Sequence, residues 1–140
     1  MILSIDIETY SSRDLTKCGT YAYVEADDFD VLLFGYAFDD EPVQVVDLAR
    51  GEQLPTRVLE ALFDPNVVKT AYNAQFERAS LARFLGKPMP AEQWDCTMAR
   101  ALYAGLPGSL EQAALALGLD VQKDPAGTRL ISLFSKPDSE

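Results

Sequence analysis

The sequence predicts an α/β fold in which a mixed sheet is flanked by helices. Three strand-like runs come first, helix and strand patterns then alternate, and helical patterns follow to the end. Apolar residues make up 48% of the 140 residues, enough for one buried core. No apolar run reaches the length of a membrane span, and no signal-peptide pattern begins the chain. We therefore expect residues 1–140 to form a single domain without a membrane partner.

The strand predictions rest on apolar and β-branched runs between turn residues. The run ILSID is almost continuously apolar and predicts a strand buried on both faces. A polar loop from Thr9, the short run GTYAYVE and the acidic turn ADDFD follow it. VLLFGYAF is the strongest strand pattern, and VQVVDL comes after a turn that contains Pro42. These runs predict an antiparallel meander, and VVKTAY predicts a further strand.

The helix predictions come from apolar spacing and from the residues at helix ends. LPTRVLEALF has helical spacing and stops before a proline, and a second helix runs from about Ala74 to Gly86. DCTMARALYAG predicts another helix. Ser109, with Gln112 three residues later, forms a capping box for LEQAALAL, and GTRLISLFS predicts a short last helix.

Charge and composition restrict the chemistry. The net charge is −10, and the chain up to Leu48 has eleven acidic residues against two basic ones. Such a chain is a poor general nucleic-acid binder. It contains no histidine, the commonest general base and metal ligand, so the polar chemistry must rest on carboxylates. Cys18 and Cys96 lack metal-ligand spacing and are expected to be reduced thiols.

Two carboxylates, Asp6 and Glu8, lie two residues apart at the end of the first strand and so project from the same face. Like charges this close repel each other, and burial penalises both. A divalent cation relieves both effects, and Mg²⁺ is commonly bound by one or two carboxylates together with phosphate oxygens. The alternative is a strand end whose acids face solvent.

The second group of polar residues is YNAQFER, residues 72–78, which begins a helix directly after a strand. Asn73 suits the N-cap, and Glu77 would lie one turn further along. The alternative is that Asn73 only caps, Phe76 is core, and Glu77 pairs with Arg78 or Arg83 in water.

Together, Asp-x-Glu at 6–8 and Asn-x-x-Phe-Glu at 73–77 resemble the first and second motifs of the DEDD, or DnaQ-like, 3′–5′ exonucleases. The segments DIETYSSRDLTKCGTYAY, WDCTMARALYAGLPGSLEQAALALGL and KDPAGTRLISLFSKP are similar to the proofreading exonuclease domain of phage-type family A DNA polymerases. The resemblance therefore extends from end to end of the chain. It implies a ribonuclease H-like fold with a mixed five-stranded sheet flanked by helices.

The resemblance also implies a reaction, the hydrolysis of DNA 3′ ends to nucleoside monophosphates during proofreading. Two Mg²⁺ or Mn²⁺ ions about 3.5–4 Å apart would clamp the attacking and leaving oxygens. By resemblance, Asp6 would bridge both ions, Glu8 would bind the ion that activates water, and Glu77 would help to hold the other. The implied partners are a single-stranded DNA 3′ end and the remainder of a DNA polymerase, in the cytoplasm of a bacterial or phage-infected host cell.

Other residues receive supporting roles from the same resemblance. Thr9, Asn73 and Phe76 are candidates for placing the terminal nucleotide, the phenylalanine either by stacking or as plain core. Asp95 could be taken for a fourth metal ligand, but we expect a structural, hydrogen-bonded role for it.

The sequence departs from the family pattern in two places. Glu77 stands where most of the superfamily has Asp. The third motif, Tyr-x-x-x-Asp or His-x-x-x-Asp, has no match: there is no histidine, and the last tyrosine, Tyr103, is followed four residues later by Pro107. We therefore expect a C-terminally truncated domain without the helix that carries the fourth carboxylate.

Four interpretations follow from these departures. The chain is an active exonuclease domain, a catalytically incomplete polymerase fragment, or a nucleic-acid-binding or interaction module of the same fold. A ribonuclease H is the main enzymatic rival, and the motif at 73–77 argues against it. The length leaves no room for a polymerase palm domain, so we expect no polymerase activity from these 140 residues.

Overall fold

The structure is a mixed five-stranded sheet with helices packed against it, as predicted. The computed structural model describes residues 1–121 and 123–137. The strands are β1 (Ile2–Tyr10), β2 (Asp30–Phe38), β3 (Gln44–Asp47), β4 (Val68–Ala71) and β5 (Trp94–Cys96). The helices are α1 (Leu15–Val24), α2 (Thr56–Phe63), α3 (Ala74–Leu85), α4 (Thr97–Tyr103), α5 (Leu110–Leu117) and α6 (Ala126–Phe134). Two short 3₁₀ helices cover Leu48–Arg50 and Ala91–Gln93.

The strand order across the sheet is β3-β2-β1-β4-β5. β1 pairs antiparallel with β2, and β2 pairs antiparallel with β3, which confirms the predicted meander. β4 and β5 add parallel pairings on the other side of β1. The sequence pattern placed Asp95 and Cys96 in a helix, which is wrong, because they belong to β5. A three-residue strand is too short for a sequence period and is recognisable only by its pairing with β4.

The segment after β1 also differs from its prediction. The strand continues to Tyr10 instead of giving way to a loop at Thr9, and most of GTYAYVE is helical, within α1. Asp14 caps this helix, because its carboxylate accepts a hydrogen bond from the backbone N–H of Thr16 at 3.0 Å. Gly19, with a φ of 77°, produces a kink inside the helix.

The hydrophobic core lies on one face of β1. Leu3, Ile5 and Ile7 are buried there and belong to one cluster with Phe34 of β2 and Leu81 of α3. Burial of each such side chain contributes about 1.5–3 kcal/mol, so this face anchors the strand. Helices α2 and α3 supply the cover because their apolar residues recur at helical spacing.

The opposite face of β1 is much more open, so the prediction of a strand buried on both faces is wrong. Ile2 is 46% exposed, and its neighbour across the parallel pairing, Val68, is 43% exposed. Asp6 is exposed and Glu8 is half-buried on the same face. The two carboxylates therefore stand on a surface that solvent can reach.

The predicted helix ends are confirmed by capping contacts. The Ser109 hydroxyl accepts a hydrogen bond from the backbone N–H of Gln112 at 3.2 Å, and Gly118 ends α5 with a φ of 63°. Cys18 and Cys96 are free thiols. Within residues 1–121 and 123–137, no helix is long and apolar enough to span a membrane.

Candidate active site

Asp6 and Glu8 share the open face of β1, and the neighbouring strand leaves room beside them. Asp6 pairs with Gly35 of β2, so no side chain stands next to its carboxylate on that side. The register shifts between Glu8 and Thr9, where β2 contains one extra residue. Such bulges bend the strand and redirect side chains, and they are frequent next to active sites.

The pKa values of both β1 carboxylates are raised. Loss of hydration is the main cause for Asp6, and a backbone hydrogen bond at Ile7 and the positive charge of Lys123 oppose it. For Glu8 the largest cause is again loss of hydration, followed by repulsion from Asp6, with Lys123 lowering the pKa. Each carboxylate is thus less stable as an anion than it would be in water.

Glu77 is the third acidic residue of the constellation, and α3 buries it. Its side chain is 6% exposed, and its Oε2 atom has no hydrogen-bond partner among the residues that the structure describes. Burial raises the pKa of Glu77 to about 7, and repulsion from Asp6 adds a smaller effect in the same direction. Negative charge on Asp6 thus disfavours negative charge on Glu77.

The solvent-exposed ion pair considered for Glu77 is not formed. Among the described residues, no ion pair joins Glu77 to Arg78 or Arg83. The Arg78 guanidinium instead donates a hydrogen bond to the backbone carbonyl of Met89 at 3.1 Å. An unpaired buried carboxyl oxygen costs several kcal/mol of free energy unless it is protonated or paired, so Glu77 needs a proton or a cation.

Thr9 and Phe76 line a cleft of about 400 Å³ that also includes Glu8. Thr9 is buried, and its hydroxyl lies 3.0 Å from the Tyr23 hydroxyl. The Phe76 ring packs against the Tyr23 ring with centroids 6.0 Å apart. Phe76 is thus partly buried against the core and also forms part of the cleft wall.

Asn73 begins α3 at the N-cap position, as predicted, but its side chain makes no capping hydrogen bond. The side chain is exposed. The Asn73 amide therefore does not cap α3. It can bind another partner.

Asp95 has the structural role expected for it. Its carboxylate accepts a hydrogen bond from the Nε of Arg100 at 2.8 Å and forms an ion pair with the same guanidinium. The Asp95 carboxylate is therefore paired with a residue of α4.

The predicted site residues come together only in part. Glu8, Thr9 and Phe76 share the 400 Å³ cleft, whereas Asp6 and Glu77 interact through their charges. In the described part of the chain, no three acidic or cysteine side chains are close enough together to hold one metal ion.

The sequence patterns missed two residues of this region, Tyr23 and Lys123. Tyr23 reaches Thr9 from α1, and nothing in its local sequence signals that contact. Lys123 acts on Asp6 and Glu8 from a segment just before α6. Tyr23 reaches β1 only through tertiary structure, and the effect of Lys123 on the β1 carboxylates likewise depends on the folded chain.

The chemistry of these residues fits a divalent cation. Asp6, Glu8 and Glu77 offer carboxylate oxygens, the ligands that Mg²⁺ and Mn²⁺ prefer. All three are less stable as anions than in water, and within residues 1–121 and 123–137 one Glu77 oxygen has no hydrogen-bond partner. A bound cation would remove both penalties at once.

The fold is similar to the ribonuclease H-like fold of DEDD exonucleases. Escherichia coli RNase D, an exoribonuclease involved in structured RNA processing, matches 91% of this chain and 30% of its own, with a TM-score of 0.64 and 18% identity. Brucella melitensis NrnC with bound Mg²⁺ matches 89% of this chain and 56% of its own, with a TM-score of 0.62 and 17% identity. At these identities, the likeness establishes the fold.

The sequence adds a more specific relationship, because the chain is homologous to a segment of a phage DNA polymerase. It is 56% identical over 135 residues to the DNA polymerase of Bacillus phage SP02. The match covers 96% of this chain but 21% of that polymerase, so the chain spans about a fifth of the relative's length. No protein-family model matches the chain. The likeness of fold and the match to the phage DNA polymerase together confirm the resemblance drawn from the motifs.

Proposed function

We propose that the chain is a metal-dependent 3′–5′ exonuclease domain of the proofreading type, derived from a phage-type DNA polymerase. The observation that carries the proposal is the buried Glu77 carboxyl, which interacts with Asp6 at an open face of the sheet and has one oxygen without a hydrogen-bond partner among the described residues. A purely structural carboxyl would have a hydrogen-bond or ion-pair partner at such a depth. The substrate is a single-stranded DNA 3′ end.

Asp6, Glu8 and Glu77 are the residues that would hold two Mg²⁺ or Mn²⁺ ions. Such ions would supply activation of water and stabilisation of negative charge on the phosphodiester. The three carboxylates bind them as anions, so occupancy rises with pH as Glu77 loses its proton. NrnC, a neighbour of the same fold, has been solved with Mg²⁺ and with pGG.

The terminal nucleotide lies in the 400 Å³ cleft. Phe76 offers a ring for stacking, and Tyr23 restrains both that ring and the Thr9 hydroxyl. The exposed Asn73 amide can donate to and accept from a base or sugar. These residues orient the 3′ end so that its last phosphodiester faces the β1 carboxylates.

The remainder of a DNA polymerase is the proposed partner of this domain. The homologous polymerase is about five times as long as the matched segment. The place of action would then be the replication machinery in the cytoplasm of a phage-infected or bacterial cell.

The test is a degradation assay with 5′-labelled single-stranded DNA and Mn²⁺. We expect a ladder that shortens from the 3′ end and that disappears with EDTA or in the Asp6→Ala variant. Asp40→Ala is the matched control, because Asp40 is an exposed acid in the turn after β2. Parallel reactions with RNA and with an RNA–DNA hybrid distinguish a deoxyribonuclease from a ribonuclease H.

Intact DNA would contradict the proposed activity. If Mn²⁺ still bound, the result would identify a catalytically incomplete polymerase fragment. Binding of DNA without metal would instead identify a nucleic-acid-binding module.

A further inference from the structure

Tyr23 is held in place at the wall of the 400 Å³ cleft by several contacts. It lies in the last turn of α1, is 5% exposed, and lines the cleft together with Thr9 and Phe76. Its ring is 6.0 Å from the Phe76 ring and meets the Phe29 ring edge-on at 5.9 Å, measured between centroids. Its backbone carbonyl accepts a hydrogen bond from the buried Ser11 hydroxyl at 3.0 Å. The direction of the Tyr23 side chain is therefore fixed before any ligand binds.

The hydroxyl groups of Thr9 and Tyr23 form a pair with one proton to spare. Their oxygens are 3.0 Å apart, and either group can be the donor. Two hydroxyl groups carry two protons, and the hydrogen bond between them uses one. Neither hydroxyl forms a hydrogen bond with any other described residue. The second proton of the pair thus has no acceptor in the part of the chain that the structure describes.

A ligand in the cleft decides what happens to this second proton. A nucleotide that fills the cleft displaces water from its walls, and a buried donor left without an acceptor weakens binding. A ligand that presents an oxygen atom to the hydroxyl pair avoids this cost. Nucleotides carry such oxygens on the sugar, on the base and on the phosphate.

We propose that Tyr23 binds the terminal nucleotide, because the Thr9–Tyr23 hydroxyl pair donates its second proton to an oxygen of the nucleoside or of its phosphate. The proposal rests on the proposed function, since it assumes that a nucleotide occupies this cleft. It gives Tyr23 a direct contact with the ligand, in addition to its packing against Phe76. The donor is the hydroxyl pair, so the contact depends on both residues.

The test is the affinity of the chain for dTMP and for thymidine, measured by calorimetry in Mn²⁺. Tyr23→Phe removes the hydroxyl and keeps the ring that packs against Phe76 and Phe29. We expect it to weaken dTMP binding by roughly fivefold, the size of one hydrogen bond between neutral groups. Thymidine binding should fall by the same factor if the acceptor is on the nucleoside, and should be unchanged if the acceptor is on the phosphate. Thr9→Ser keeps a hydroxyl and should retain the wild-type affinity for dTMP.

Tyr36→Phe is the matched control, because Tyr36 also packs against two phenylalanine rings and does not line the cleft. Mn²⁺ binding without nucleotide should be the same in the wild type and in all three variants. Equal dTMP affinity in Tyr23→Phe and Tyr36→Phe would overturn the proposal. A parallel loss of Mn²⁺ affinity in Tyr23→Phe would also overturn it, by showing that the hydroxyl only maintains the structure of the site. If the wild-type chain binds neither dTMP nor thymidine, the proposed function itself fails, and that result requires no variant.

Discussion

In the metal-free chain, the folding stability should fall as the pH rises because Glu77 ionises. Glu77→Gln is expected to remove most of that fall. Glutamine has the same shape as glutamate but cannot ionise. The Glu77 side chain is 6% exposed and its pKa is about 7, against an ordinary value of 4.5. The folded state therefore holds a proton that the unfolded chain releases above pH 4.5.

The sign of the effect follows from proton linkage. Below the pKa of Glu77 in the unfolded chain, Glu77 is protonated in both states and does not lower the free energy of unfolding. Between the two pKa values the stability falls by up to about 1.4 kcal/mol per pH unit, because the native state binds more protons. Above the folded pKa the penalty levels off at about 3 kcal/mol, as expected from the difference between the two pKa values. From about pH 5 to about pH 8, the wild type should lose roughly 2.5 kcal/mol that Glu77→Gln does not lose.

The assay is urea unfolding in EDTA at both pH values, for the wild type and the variant. Asp6 and Glu8 also titrate, but they are present in both proteins, so their effect largely cancels in the difference. Glu60→Gln is the control, since Glu60 is exposed on α2. A stability difference between Glu77→Gln and the wild type that does not change with pH would refute the assignment of a raised pKa to Glu77.

Three further predictions concern metal binding and stability. Replacing both Asp6 and Glu8 by alanine should abolish Mn²⁺ binding in calorimetry, and unchanged binding would contradict a metal site at β1. Lys69→Met should lower the free energy of unfolding by about 2–4 kcal/mol, because three oxygen atoms 2.8–3.0 Å from this fully buried ammonium lose their donor. Urea unfolding measures that loss, and Lys87→Met should change little. Ser109→Ala should cost about 1 kcal/mol through loss of the helix cap, and an unaltered unfolding midpoint would exclude that role.

The parts of the fold that were predicted correctly depend on residues close together in the chain. Alternation along β1 places Asp6 and Glu8 on one face, and helical spacing with Gly86 at the end defines α3. Strand β5 and helix α1 were not predicted. β5 exists because β4 lies beside it, and the strand-like composition of GTYAYVE is overridden by the cap at Asp14 and by packing of α1 against α3.

The candidate site also has one part that the sequence predicts and another that depends on tertiary structure. Its carboxylates, the first turn of α3 and the absence of histidine could be read from the sequence by itself, because spacing and residue type determine them. The open face of β1, the raised pKa of Glu77 and the effect of Lys123 on the β1 carboxylates were decided by tertiary structure alone. Burial and electrostatic fields depend on which distant segments pack together, and local spacing carries no information about that packing.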